Sequence, residues 1–181
     1  MSASAGNDAR TKAARQQQGA GAAERPATKG SATKPVEKRA PSRIHATWDG
    51  EQRFDAGRPG GKTLRLDGTG KTGQSPVDVL LSALAGCTGI DIVEILAKRR
   101  TPVERLEIEV VGDRADVVPR RIIAIQLIYR IDGAGIERDQ AERAIDLAVN
   151  KYCSVRESLA TDIVISWSMT LNGEPYTPGG A

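Results

Sequence analysis

Residues 75–100 read SPVDVLLSALAGCTGIDIVEILAKRR, and this stretch decides what kind of fold the chain can form. Ser75-Pro76-Val77-Asp78 opens it with a serine to cap the first turn, a proline where its missing N–H does no harm, and an acid beside the positive helix end. From Val79 to Ile90 only Ser82 and Thr88 are polar, and both are small. The pattern predicts a helix over Ser75–Arg100 that is buried all round rather than along one stripe. It is read as a core helix, too short and too charged beyond Asp91 to span a membrane.

On its N-terminal side, Ile44, Ala46 and Trp48 alternate with polar neighbours, and Asp49-Gly50 turns the chain into a hairpin with Gln52–Ala56. A further strand is expected from Lys62 to Leu66. On its C-terminal side, Leu106, Ile108 and Val110 alternate with Glu107 and Glu109, as in a strand with one wet face. The next strand places Ile123, Ile125, Leu127, Tyr129 and Ile131 on one face, with Ile122, Ala124 and Ile128 on the other. Ala141, Ala144, Ile145 and Ala148 then recur at helical spacing between Glu137 and Asn150. Ser154-Val155-Arg156-Glu157 has the form of a capping box, which sets Cys153 just ahead of a short helix. A last strand runs from Ile163 to Leu171. The order is α+β, with antiparallel strands wrapped around one long buried central helix.

The chain has 181 residues, two cysteines, one histidine and a pI near 9.0. The basic excess is local. Residues 1–40 carry a net charge of +5 and almost no large apolar side chains, whereas residues 41–181 carry −2. The first segment reads as a disordered basic tail, and residues 41–181 as one domain. Few aromatics and no basic stripe argue against specific nucleic-acid binding. His45, the sole histidine, cannot complete a zinc site with two cysteines, and no metal or cofactor is expected. Without a secretory leader pattern or a run of about 18 apolar residues, the expectation is a soluble cytoplasmic protein.

The two thiols hold the clue to function. Cys87 lies in Ala85-Gly86-Cys87-Thr88-Gly89, where the small Ala83, Gly86 and Gly89 admit either a ligand or a closely crossing backbone. A cysteine in an apolar helix is more often a packing residue than a reactive one. Cys153 lies in Lys151-Tyr152-Cys153-Ser154-Val155, next to a helix N-terminus with Lys151 and Arg156 nearby. Local electrostatics therefore rank Cys153 as the more acidic thiol. The pair is 66 residues apart, so any partnership must come from tertiary structure.

Taken with Arg143-Ala144-Ile145-Asp146-Leu147, the Ser75–Leu81 segment and both cysteine contexts resemble the OsmC/Ohr family of hydroperoxide reductases, most closely its YhfA-like branch, over roughly residues 43–173. The resemblance implies an intertwined homodimer around two central helices. Cys87 would be the peroxidatic thiolate and Cys153 the resolving one, forming a Cys87–Cys153 disulfide after a sulfenic acid, with a dithiol reductant of lipoyl type restoring both. This reverses the local ranking of the thiols. Arg65, in Leu64-Arg65-Leu66-Asp67-Gly68, matches the arginine that steadies the thiolate in catalytic members. The glutamate that orients this arginine falls on Val77, a departure from the family pattern. Asp78 lies half a turn around and roughly 13 Å along the helix from Cys87, so within one helix the two cannot touch. Two functions follow: reduction of organic hydroperoxides in oxidative-stress defence through a largely apolar pocket, or a binding or regulatory module that keeps the cysteines without fast peroxidase chemistry.

Overall fold

The computed structural model describes residues 40–178. The tail read over residues 1–40 therefore lies, apart from an exposed Ala40, outside the described residues.

Strands β1 (His45–Trp48), β2 (Arg53–Gly57) and β3 (Thr63–Asp67) form a three-stranded antiparallel sheet. Gly50 supplies the positive φ of 78° that the first turn requires. Between this sheet and the long helix α1 (Pro76–Lys98), the chain is anchored by Asp67. Its buried carboxylate accepts hydrogen bonds from the backbone and hydroxyl of Thr69 (2.8 and 2.7 Å) and of Thr72 (2.9 and 2.8 Å). Four donors stabilise the charged form and hold its pKa well below the usual carboxylate range, Thr69 first.

Helix α1 begins as its sequence predicts. Ser75 Oγ accepts from the Asp78 N–H, and the Asp78 carboxylate accepts from the Ser75 N–H, a complete capping box. Burial all round is not what the single chain provides. Leu84, Thr88, Gly89, Ile92 and Leu96 form one buried stripe, while Leu80, Ile90 and Val93 face outward, with Ile90 63% exposed. The expectation that α1 is too short and too charged to cross a membrane is also corrected. Its 23 residues hold an 18-residue window with a mean hydropathy of 1.9, long and apolar enough by composition, and what identifies it as a core helix is its packing. Gly89 explains part of that packing, because a Cβ there would meet Ile108 Cδ1 at 2.9 Å.

Ile108 belongs to β4 (Arg105–Arg114), which pairs antiparallel with β5 (Ile122–Asp132). The register slips between Asp113 and Arg114, so Ile122 turns inward and Ile123 outward, the reverse of simple alternation. From Ile125 onward the odd-numbered positions are buried as expected. After β5 come α2 (Arg138–Leu147), a π-helical turn (Ala148–Tyr152), α3 (Ser154–Glu157) and β6 (Val164–Leu171). Strand β6 pairs with β5 in parallel, a correction to the antiparallel expectation. Alternation fixes which face is apolar but not strand direction, and the helical crossover brings the chain back to enter the sheet in the same sense. A short β7 (Glu174–Tyr176) completes the order β4-β5-β6-β7. Its turn, Asn172-Gly173, has φ of 48° and 87°, a hairpin signal that the alternation alone does not reveal.

Candidate active site

Cys87 sits half-buried in the middle of α1, and Cys153 is buried at the N-cap of α3. The π-helical turn determines the second position. Cys153 N–H donates to Ala148 O across five residues at 3.0 Å, which ends the helix one residue before Ser154. Such turns widen a helix locally and recur at functional sites. Cys153, not Ser154, is the capping residue, and its Sγ accepts from the Arg156 N–H at 3.3 Å. The cap thus falls one residue ahead of the predicted Ser154, with Arg156 at the third helical position where a capping box needs an acid or amide.

Both the turn and α3 pack against α1. The packing sets both thiols, each free, at one core cluster, with Cys153 within it and Cys87 packed against it. The lowered Cys153 pKa that the helix N-terminus suggests from the sequence does not survive this geometry. Burial pushes the Cys153 thiol up to about 11, against the pull of the Arg156 N–H, and the nearby Cys87 sulfur adds to the rise. Burial outweighs the short helix even though the Arg156 and Val155 N–H groups both favour the thiolate.

A cavity of about 420 Å³ opens over Cys153, with Asn150, Lys151, Ser154, Arg156 and Glu157 in its wall. This wall is mixed, with Val149 and Tyr152 beside the polar residues. The apolar hollow, about 480 Å³, lies around α1 from Cys87, between Gly86, Ile90 and Val93 of the helix and Leu106 and Ile108 of β4. Gly86 and Gly89 therefore have separate roles: Gly89 packs on the sheet, whereas Gly86 opens outward, and a Cβ added there would meet nothing within 4 Å.

Arg65 is held elsewhere. Its Nε and Nη2 donate to the two carboxylate oxygens of Asp55 at 2.6 and 2.7 Å, and Nη2 also lies 2.9 Å from Asp49 Oδ2. Asp55 is its cross-strand partner on β2. The bidentate hydrogen bonds lower the Asp55 pKa and raise that of Arg65. Neither aspartate stands out in the sequence as a partner for Arg65. Hairpin register, once fixed, sets Asp55 opposite Arg65 and is the signal that reveals the pair.

Val77 is partly buried at the edge of the core. Glu94 pairs with Lys98 one turn along at 3.1 Å. Partial burial, with the neighbouring Glu94 charge, raises the Asp91 pKa. His45 is exposed on β1, as its position in the alternation predicts.

The comparisons with known proteins agree on the fold. The family described as OsmC-like protein matches residues 68–168. Protein YhfA of Escherichia coli strain K12 is 34% identical over 109 residues, which cover 60% of this chain and 81% of that protein. The crystal structure of an OsmC-like protein from Mycoplasma pneumoniae superposes with a TM-score of 0.65 at 20% identity, covering 74% of this chain and 99% of that one. The organic hydroperoxide resistance protein OhrB of Bacillus subtilis superposes with a TM-score of 0.51 at 12% identity, covering 72% and 98%. At these identities the two structures speak for the fold alone.

Proposed function

The chain belongs to the OsmC-like family, and from that premise we propose that it reduces organic hydroperoxides with a pair of cysteines in oxidative-stress defence. The observation that carries this reading is that Cys87 and Cys153, from segments 66 residues apart, are free thiols gathered at one buried cluster, near enough for Cys87 to raise the Cys153 pKa. Cys87, the less buried sulfur, attacks the outer peroxide oxygen as thiolate. The O–O bond breaks, an alcohol leaves after taking a proton, and Cys87 becomes a sulfenic acid. Cys153 then attacks that sulfur, forming the disulfide and releasing water. A dithiol reductant, of lipoyl type, returns both thiols. A reducing cytoplasm suits a cycle that starts from free thiols.

The reading includes a homodimer. Ile44, just ahead of β1, and Trp48 of β1 are 66% and 63% exposed, and Ile90 and Val93 extend the outward apolar face of α1. A second copy would cover both surfaces.

Peroxide consumption should be measured with cumene hydroperoxide and a dithiol reductant for the wild type, Cys87→Ser and Cys153→Ser. Cys87→Ser is expected to abolish consumption, and Cys153→Ser to stop after a single turnover at the sulfenic acid. Sustained turnover by Cys87→Ser would overturn the assignment. The hold of Asp55 and Asp49 on Arg65 favours a second reading, a binding module without fast peroxidase chemistry. Equal, slow turnover in all three proteins would favour it.

A further inference from the structure

The cavity of about 420 Å³ over Cys153 falls within the size range of small-molecule pockets. Charge in its wall is uneven, with two cations, Lys151 and Arg156, against one carboxylate, Glu157. Among the described residues none of the three is closely ion-paired. Lys151 lies over the Tyr152 ring, 5.5 Å from its centroid, and Arg156 Nη1 is 3.6 Å from Glu157 Oε2, beyond direct hydrogen-bond length.

Arg156 is the more unusual cation. Its Nε is buried and has no hydrogen-bond partner among the described residues, although the side chain as a whole is 39% exposed. Arg156 also lines a smaller hollow of about 70 Å³, which extends toward the apolar Leu159, Ile163 and Ile165. An unpaired donor on a partly desolvated cation is destabilising, and a carboxylate offers the planar, two-oxygen partner that the guanidinium fork fits. The same residue is tied to the thiol. Its backbone N–H donates to Cys153 Sγ at 3.3 Å, so an anion held by its side chain shares the cavity with that sulfur.

We propose that this cavity admits the reductant, and that it takes a dithiol bearing a carboxylate, held by Arg156 and Lys151, which attacks the disulfide at Cys153. This rests on the peroxide-reducing cycle above, and adds the charge of the reductant and the sulfur it meets. Cys153 lies in the cavity wall and Cys87 does not. In the first step a thiolate of the reductant forms an S–S bond to Cys153. The Cys153–Cys87 bond breaks, and its electron pair goes to Cys87, which takes up a proton. The second thiol of the reductant then attacks its partner sulfur in the mixed disulfide, closing a cyclic disulfide, and its proton passes to the departing Cys153. Two electrons move from the dithiol to the protein, and no other reductant is required.

The test compares two dithiols that differ only in carboxylate against amide, dihydrolipoate and dihydrolipoamide, as reductants of the full chain with cumene hydroperoxide. The ratio of their kcat/KM values should favour dihydrolipoate about tenfold, the size of one charge-assisted hydrogen bond, and Arg156→Gln should bring it near unity. Glutamine keeps the backbone N–H that caps Cys153. Lys151→Gln, on an exposed side chain, should lower the ratio as well, and Glu157→Gln should raise it. A wild-type ratio near unity, or one unmoved by Arg156→Gln, would overturn the proposal. A second measurement does not depend on peroxide chemistry. In the Cys87→Ser background, Cys153 is modified with sulfonatoethyl methanethiosulfonate, an anion, and with trimethylammonioethyl methanethiosulfonate, a cation. The anion should react faster, and Arg156→Gln should abolish the preference. Faster reaction with the cation would refute the site. Should the wild type consume no peroxide, the peroxidase reading fails and the reagent preference still decides whether the cavity selects anions.

Discussion

The two sheets solve the burial problem differently. The β4-β5-β6-β7 sheet finds its core within the chain: Leu127, Tyr129 and Ile131 are fully buried beneath α1 and α2. The β1-β2-β3 sheet leaves Trp48, Phe54 and Leu64 exposed, together with Ile44 just ahead of it. Strand β3 is where it touches α1. The difference teaches that an apolar strand pattern specifies a face to be covered, and not what covers it.

The largest expected effect tests that contrast directly. Leu127→Ala or Ile92→Ala should destabilise the fold by about 2–5 kcal/mol in urea titrations, because each removes a fully buried side chain. Phe54→Ala should change the stability of a dilute sample by no more than about 0.5 kcal/mol. Equal losses at the two places would break the comparison. Ile90→Arg sharpens it from the helix side: the fold should persist while sedimentation equilibrium shifts from dimer to monomer. A mass that does not change would leave the outward faces of α1 and the hairpin without the proposed second copy.

A smaller effect concerns pH. Cys153 has a folded pKa raised from about 9 to about 11, so its contribution to stability is complete below pH 9. As pH rises from 9 to 11 the unfolded chain ionises first, and at most about 3 kcal/mol is lost. Cys153→Ser should remove this alkaline slope from the denaturation midpoints, and an identical slope in both proteins would contradict the burial argument. Asp67 has the opposite sign. Its depressed pKa supplies stability above about pH 4 that disappears as pH falls, so Asp67→Asn should flatten the acid limb. Smallest of all is Asp55→Asn. The ion pair with Arg65 is partly exposed, and its loss should be near the detection limit of a melting curve, in contrast to any of the core substitutions.

Much of the fold was legible in the residues. Ser75, Pro76 and Asp78 mark the start of α1 through local hydrogen bonds, and hairpin turns such as Asp49-Gly50 are fixed by φ preferences that act over two residues. The parallel pairing of β6, the inversion of Ile122 and Ile123, and the π-helical turn before Cys153 were not legible. Each depends on how a distant segment arrives: a crossover, a slipped register, a helix widened by its contacts. The same holds at the site. Cys87 and Cys153 were conspicuous as the only two thiols, but the sequence neighbours of Cys153 suggest a lowered pKa where burial raises it.

By itself the sequence determined the elements, the long apolar helix, the two sulfurs and the family to which they point, because periodicity, capping and turn preference are properties of neighbouring residues. Only the tertiary structure decided which sulfur is desolvated and that Arg65 is held by Asp55 and Asp49. Desolvation and charge act through space, over a few ångströms, and the chain brings those groups together from segments far apart in sequence.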